Sequence, residues 1–203
     1  MKNFFDKQNK IQGAFTLIEM VVSLGVIMII SVIFIANYRN ANKRTDLIMT
    51  AQSLVADIHA AQNNSLGLVK YGEDVPAGGW GVNFNKTNNT YTIFADLEAP
   101  LEDGNLAYDA SDEAERNFGA REINFRGEIE IEELTIFSGV NGSASSTTNV
   151  ANVTFLPPDP KTNIYNQATT ATGTALTVKL KEVNGEGRRT VKINFLGLIE
   201  MID

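Results

Sequence analysis

The run from Phe15 to Ala36, FTLIEMVVSLGVIMIISVIFIA, constrains this chain more than any other stretch. As a helix it spans roughly 30 Å of hydrocarbon, the thickness of a bilayer core, so a transmembrane segment is expected. A secretory signal has a shorter apolar core, of about 7–15 residues, with a small-residue cleavage site behind it. Here the run is longer and no such site closes it. Its one ionisable side chain, Glu19, stands near the N-terminal end. A carboxylate there costs less than the roughly 3 kcal/mol of a mid-helix position, yet a plain anchor has no need of it. It calls for a positive partner, and none lies one helical turn away. The nearest candidate is a new amine, made if the chain is cut just before Phe15.

Ahead of this run, Met1–Ala14 is polar, carries Lys2, Lys7 and Lys10, and ends in the small residues Gly13 and Ala14. A basic leader, a small residue, then F-T-L-I-E and about twenty apolar residues resembles the N-terminal signal of type IV pilins and type II secretion pseudopilins. The resemblance covers Gly13 to Ala36. It implies a cytoplasmic leader removed by prepilin peptidase, which also methylates the new amine. Cleavage is expected between Ala14 and Phe15, with Phe15 the methylated first residue and Glu19 the fifth. The family usually carries glycine just before the cut; cutting between Gly13 and Ala14 would make Glu19 the sixth. The resemblance further implies that Glu19 pairs with the N-terminal amine during filament assembly. Its implied partners are other pilin or pseudopilin subunits, the assembly platform with its ATPase, and membrane lipid. A single-pass inner-membrane location with the head outside the cytoplasm follows from it, and then a place in a pilus or pseudopilus.

Charge asymmetry does not fix the orientation, because Arg39, Lys43 and Arg44 stand on the other flank. These three either face lipid headgroups or meet acidic faces of neighbouring subunits. No proline occurs between Phe15 and Val75, and only Gly25 interrupts the helical pattern before Gly67. Leu47, Ala51, Leu54, Ile58 and Ala61 recur at 3–4-residue spacing, which marks a buried helix face. One helix is therefore expected from Phe15 to about Leu66, with Gly67 as its stop. Ser23 and Gly25 mark either a bend or a close helix contact.

Beyond Gly67 the texture changes to short alternating runs and turn clusters. Trp80–Phe84 and Thr90–Ala95 read as strands around an asparagine-rich turn. Glu128–Phe137 alternates with a phase change at Glu132-Glu133, which predicts a bulge. Val150–Leu156 reads as a strand stopped by prolines, and Ala175–Lys181 with Thr190–Phe195 as a hairpin around Asn184–Gly187. Leu198–Ile202 is a further strand. Leu97–Gly119 reads as an acidic loop and Gly139–Asn149 as a flexible one. A long helix followed only by strands predicts an α+β fold with an antiparallel sheet packed on the helix. The expected division is leader 1–14, transmembrane segment 15–36, amphipathic half-helix 37–66 and β-rich head 67–203. The strings WGVNF, YTIFAD, VTFLPPDP and VKINFLGLIEMI resemble the head of the H-type minor pseudopilins, although Pro160 stands where that group carries glycine.

The chain has a net charge of −7. Without the leader's three lysines and one aspartate, 14 basic and 23 acidic residues remain, a net charge of −9. General polyanion binding is therefore disfavoured. There is no cysteine, so a head outside the cytoplasm is held by packing alone. The acidic set Asp96, Glu98, Glu102, Asp103, Asp109, Asp112, Glu113 and Glu115 does not have the spacing of a twelve-residue calcium loop and reads as a solvated surface. Lys179, Lys181, Arg188, Arg189 and Lys192 offer a basic face that could touch DNA, or simply blunt an exposed sheet. His59, the only histidine, reads as a helix-surface residue. No nucleophile elbow or phosphate loop is present, and neither catalysis, a cofactor nor a metal is expected. The two readings carried forward are a filament subunit and a single-pass anchored adhesin or DNA-capture domain. Cleavage at Phe15 separates them.

Overall fold

A computed structural model describes residues 15–73, 75–97, 106–108, 120–125, 127–139, 142–157, 161–166 and 171–202. A single helix, α1 (Leu17–Leu66), runs for 50 residues without a break at Gly25. The absence of proline and the run of straight-chain and apolar residues account for its length. The chain divides into two units, Met1–Asn42 and Lys43–Asp203. The described part of the first unit is helix; the second holds the remainder of α1 and all the strands.

The C-terminus of α1 departs from expectation in its detail. Val69 N donates to Asn64 O at 2.9 Å and Leu68 N to Ser65 O at 3.1 Å, the paired bonds of a Schellman motif. The left-handed residue is Leu68, at φ 51°, so the glycine beside it closes the helix without taking the strained position.

Leu47, Ala51, Leu54, Ile58 and Ala61 are all buried, as their spacing predicts. Ser65 continues the stripe and donates its hydroxyl to the Phe155 carbonyl. This stripe shares one core with the inner faces of two sheets. The first sheet has the order β3-β2-β1-β6-β7-β8. It comprises β1 (Gly79–Asn85), β2 (Thr90–Asp96), β3 (Ala120–Asn124), β6 (Val150–Leu156), β7 (Lys161–Asn166) and β8 (Ala171–Gly173). The second has the order β11-β10-β9-β4-β5, from β4 (Ile129–Ser138), β5 (Ala144–Thr148), β9 (Ala175–Glu182), β10 (Arg188–Asn194) and β11 (Ile199–Ile202). Every pairing is antiparallel. The fold is α+β, as expected, but with two sheets where one was expected.

Three differences have physical causes. Gly139–Asn149 is not wholly loop, because Ala144–Thr148 pairs with the edge of β4. Its Ala-Ser-Ser-Thr-Thr sequence lacks apolar alternation, since an edge strand exposed to solvent needs none. β7 likewise lacks apolar alternation: Thr162 and Asn166 hold inward positions that apolar patterning would assign to larger side chains, and β8 is only three residues long. β2 is buried at every position rather than at alternate ones. Residues 106–108 lie on its second face, with Thr154 Oγ1 donating to Leu106 O at 2.6 Å and the Tyr108 ring 5.7 Å from that of Phe94. The rest of the acidic segment, 98–105 and 109–119, lies outside the described residues. The phase change at Glu132-Glu133 is a register shift between Ile131 and Glu133 in the β4–β9 pairing, as the sequence predicts.

Asn89 is the joint between the sheets. It takes φ 56° in the β1–β2 turn, a conformation asparagine tolerates. Its amide donates to Ile129 O and its Oδ1 accepts from Ile131 N, both at 2.9 Å. The hairpin of one sheet is thereby fixed to the first residues of β4 in the other.

Candidate functional site

The N-terminal end of α1 carries the residues singled out by sequence. Ala14 and Gly13 lie outside the described residues; Phe15 is exposed and precedes the helix. Thr16 is the N-cap: its Oγ1 accepts from Glu19 N at 3.3 Å, while Met20 N donates to Thr16 O at 3.2 Å. Glu19 therefore sits three residues after a threonine cap, the sequence spacing of a capping box, and its backbone N–H makes the cap bond. As the acidic residue of the first turn it lies near the positive end of the helix dipole, where a negative charge is favourable by about 0.3–1 kcal/mol. This gives Glu19 a helix-starting role beside the amine pairing implied by the resemblance. The signal was present in the sequence as Thr-x-x-Glu ahead of an apolar run.

Leu17–Ile35 has a mean hydropathy of 2.7 and is long and apolar enough to cross a membrane. Its large side chains are exposed on every face, from Leu17, Ile18 and Val21 to Ile33, Phe34 and Ile35. Such a surface is stable only in lipid or against other apolar helices. Its two serines satisfy their hydroxyls within the helix: Ser23 Oγ donates to Glu19 O at 2.7 Å and Ser31 Oγ to Ile27 O at 2.8 Å. That satisfies each donor without water, as an apolar surrounding requires.

Of the flanking basic residues, Lys43 is bonded within the head, its Nζ 2.6 Å from Glu128 Oε2. That pairing holds the Glu128 carboxyl below the usual carboxylate range. Lys43 is thus engaged by an acid of its own head. Arg44 is exposed, and the Arg39 side chain lies outside the described residues.

Three of the five basic residues of the last hairpin are ion-paired among the described residues. Lys179 and Arg188 lie 3.2 and 3.0 Å from the Glu132 carboxylate, and Lys181 is 2.9 Å from Glu130. The acids between the isoleucines of β4 face the lysines across the β4–β9 pairing. These form cross-strand ion pairs on the face that carries the basic set. His59 is exposed, with Nδ1 3.4 Å from Gln62 Oε1, as a surface histidine should be. Among the described residues no group of three or more histidine, aspartate or glutamate side chains is placed to hold a metal ion. Asp96 is buried at the end of β2, while its acidic companions from Glu98 to Glu115 lie outside the described residues.

Comparison with protein-family models, curated proteins and solved structures found no match.

Proposed function

We propose that this chain is a structural subunit, a pilin or pseudopilin of the minor kind, matured by prepilin peptidase and assembled through its N-terminal helix. The observation that carries the reading is one continuous helix with two kinds of surface. Residues 17–35 bury no large side chain, and from Leu47 onward a narrow stripe packs into a head of antiparallel sheets. The Phe15–Glu19 string at its start adds the resemblance in sequence. The subunit waits in the membrane and enters a filament when its apolar helix exchanges lipid for the helices of other subunits. Glu19 then neutralises the buried amine of Phe15, a pair that is costly when only one half is present.

The competing reading, an anchored binding domain, is supported by the place of Glu19 in the first turn of α1, where a carboxylate is favourable toward the helix dipole without a filament. Mass spectrometry of membrane-extracted protein decides between them. A mature chain beginning at N-methylated Phe15 is expected; intact Met1 in cells that possess the peptidase would sink the filament reading.

A further inference from the structure

A groove of about 840 Å³ runs along the head between α1 and the edge of the first sheet. One wall is a single helix stripe that includes Asp46, Ser53 and Asp57; the other is the consecutive run 121–125 of β3 and its exit. Consecutive strand residues can line one groove only where it follows the strand edge, because alternate side chains point to opposite faces. β3 ends its sheet, with β2 on one side and no strand on the other among the described residues. Its five pairings with β2 are in continuous register, with neither a bulge nor a proline to spoil the free edge.

The charge of the groove is unbalanced. Arg121 lies 3.2 Å from Asp57, so these two compensate each other. Asp46 and Glu122 have no cationic partner among the described residues, and both are exposed. Met49 and Ile123 add apolar surface against which the stem of a long basic side chain can lie. The chain's other edge strands do not supply such an occupant. β5 reads ASSTT, β8 ATG and β11 IEMI, with neither lysine nor arginine.

We infer that this groove binds an extended, lysine- or arginine-bearing segment of another protein, which adds as a strand to the free edge of β3. Main-chain hydrogen bonds to β3 would supply affinity; Asp46 on the α1 side and Glu122 on the opposite face of β3 would select basic side chains at adjacent positions of the added strand, which point to opposite faces. This holds whether or not the chain is a filament subunit.

The test uses the full chain in neutral detergent and a labelled seven-residue threonine–lysine peptide with its lysines in adjacent pairs. A threonine–glutamate peptide and a threonine–lysine peptide N-methylated on its threonines serve as comparators. The lysine peptide should bind at least ten-fold more tightly than either comparator and should slow hydrogen exchange in residues 120–124. The double variant Asp46→Lys, Glu122→Lys should weaken it at least ten-fold with the melting temperature unchanged. Equal binding of the N-methylated peptide would overturn strand addition. Indifference to the double variant, or no binding at millimolar peptide, would overturn the site. Should the double variant fold poorly, Glu122→Gln alone should still lower affinity, and an unchanged affinity would equally overturn it.

Discussion

The Tyr91 hydroxyl donates to Asp57 Oδ2 at 2.6 Å, joining the second strand of the first sheet to the amphipathic half of α1. The other carboxylate oxygen accepts from Arg121 at 3.2 Å, so one aspartate links helix, strand and edge strand. The Tyr91 ring packs 5.2 Å from Phe125 and 6.4 Å from Phe84. Tyr91→Phe keeps these ring contacts and removes only the hydroxyl. It should lower stability by about 1–2 kcal/mol, the range for a hydrogen bond to a charged acceptor that retains another partner. Unfolding of the full chain in detergent, followed by fluorescence of Trp80, measures it, since this is the only tryptophan and stands in β1. An unchanged midpoint would mean that the bond contributes nothing.

The same tyrosine sets the alkaline limb of stability. Burial pushes its phenol well above the ordinary value, and the hydrogen bond to and charge of Asp57 push the same way. The folded state thus keeps a proton that the unfolded chain releases above about pH 10. Stability attributable to Tyr91 is complete below that pH and falls as pH rises through the shifted value. Absorbance at alkaline pH should show one phenol titrating late, absent from Tyr91→Phe.

Glu132 acts in the opposite direction. Hydrogen bonding to Arg188, with a smaller contribution from Lys179, holds its carboxyl below the usual range. Its contribution is present above the unfolded-state value, near pH 4, and is lost as pH falls through the lower folded value. The side chain is partly exposed, so the effect should stay below about 1 kcal/mol. Glu132→Gln should flatten the acid limb of a stability–pH curve by that amount, and its difference from wild type should shrink in high salt, which screens the wild-type pairs.

Features with a local pattern were readable in the sequence. The helix stripe Leu47–Ala61, the β9–β10 hairpin and the bulge at Glu132 follow from period, turn composition and phase. What was not readable depends on residues far apart in the chain. Tyr91, Asp57 and Arg121 meet only because β2 and β3 are laid beside α1. Asn89 looked like a turn residue and also joins two sheets. The division into two sheets is not legible because alternation tells which residues face inward but not which strands are neighbours. The Thr16 cap is a further local pattern, legible in the sequence as Thr-x-x-Glu ahead of an apolar run.

Leu68 offers a gain in stability. At φ 51° its side chain bears a strain of about 1–2 kcal/mol that glycine avoids. The greater freedom of glycine in the unfolded chain offsets roughly 0.5–1 kcal/mol of this. Leu68 is about half exposed, so little packing is lost. Leu68→Gly should therefore raise stability by a few tenths to about 1 kcal/mol. Destabilisation by the same measure would show that the leucine side chain packs more usefully than its exposure indicates.

The last prediction separates the two roles open to Glu19. As a partner of the Phe15 amine among packed helices, its removal leaves a buried charge uncompensated, at a cost of about 3–5 kcal/mol. As a member of the Thr16 capping box, its removal costs no more than loss of the cap itself, about 1 kcal/mol. Thr16→Ala removes the cap and leaves the carboxylate; Glu19→Ala removes the carboxylate and leaves the threonine. Both variants should still be cleaved and inserted, since loss of a charge from an apolar helix eases insertion. If assembly uses the amine pair, the ratio of sheared filament to membrane pool should fall by roughly a hundred-fold or more in Glu19→Ala. In Thr16→Ala it should fall by about five-fold at most. Glu19→Asp should be intermediate, with the charge kept and its reach shortened by one methylene. Equal losses in Glu19→Ala and Thr16→Ala would assign the glutamate to the cap, and ratios equal to wild type in both would remove the assembly role.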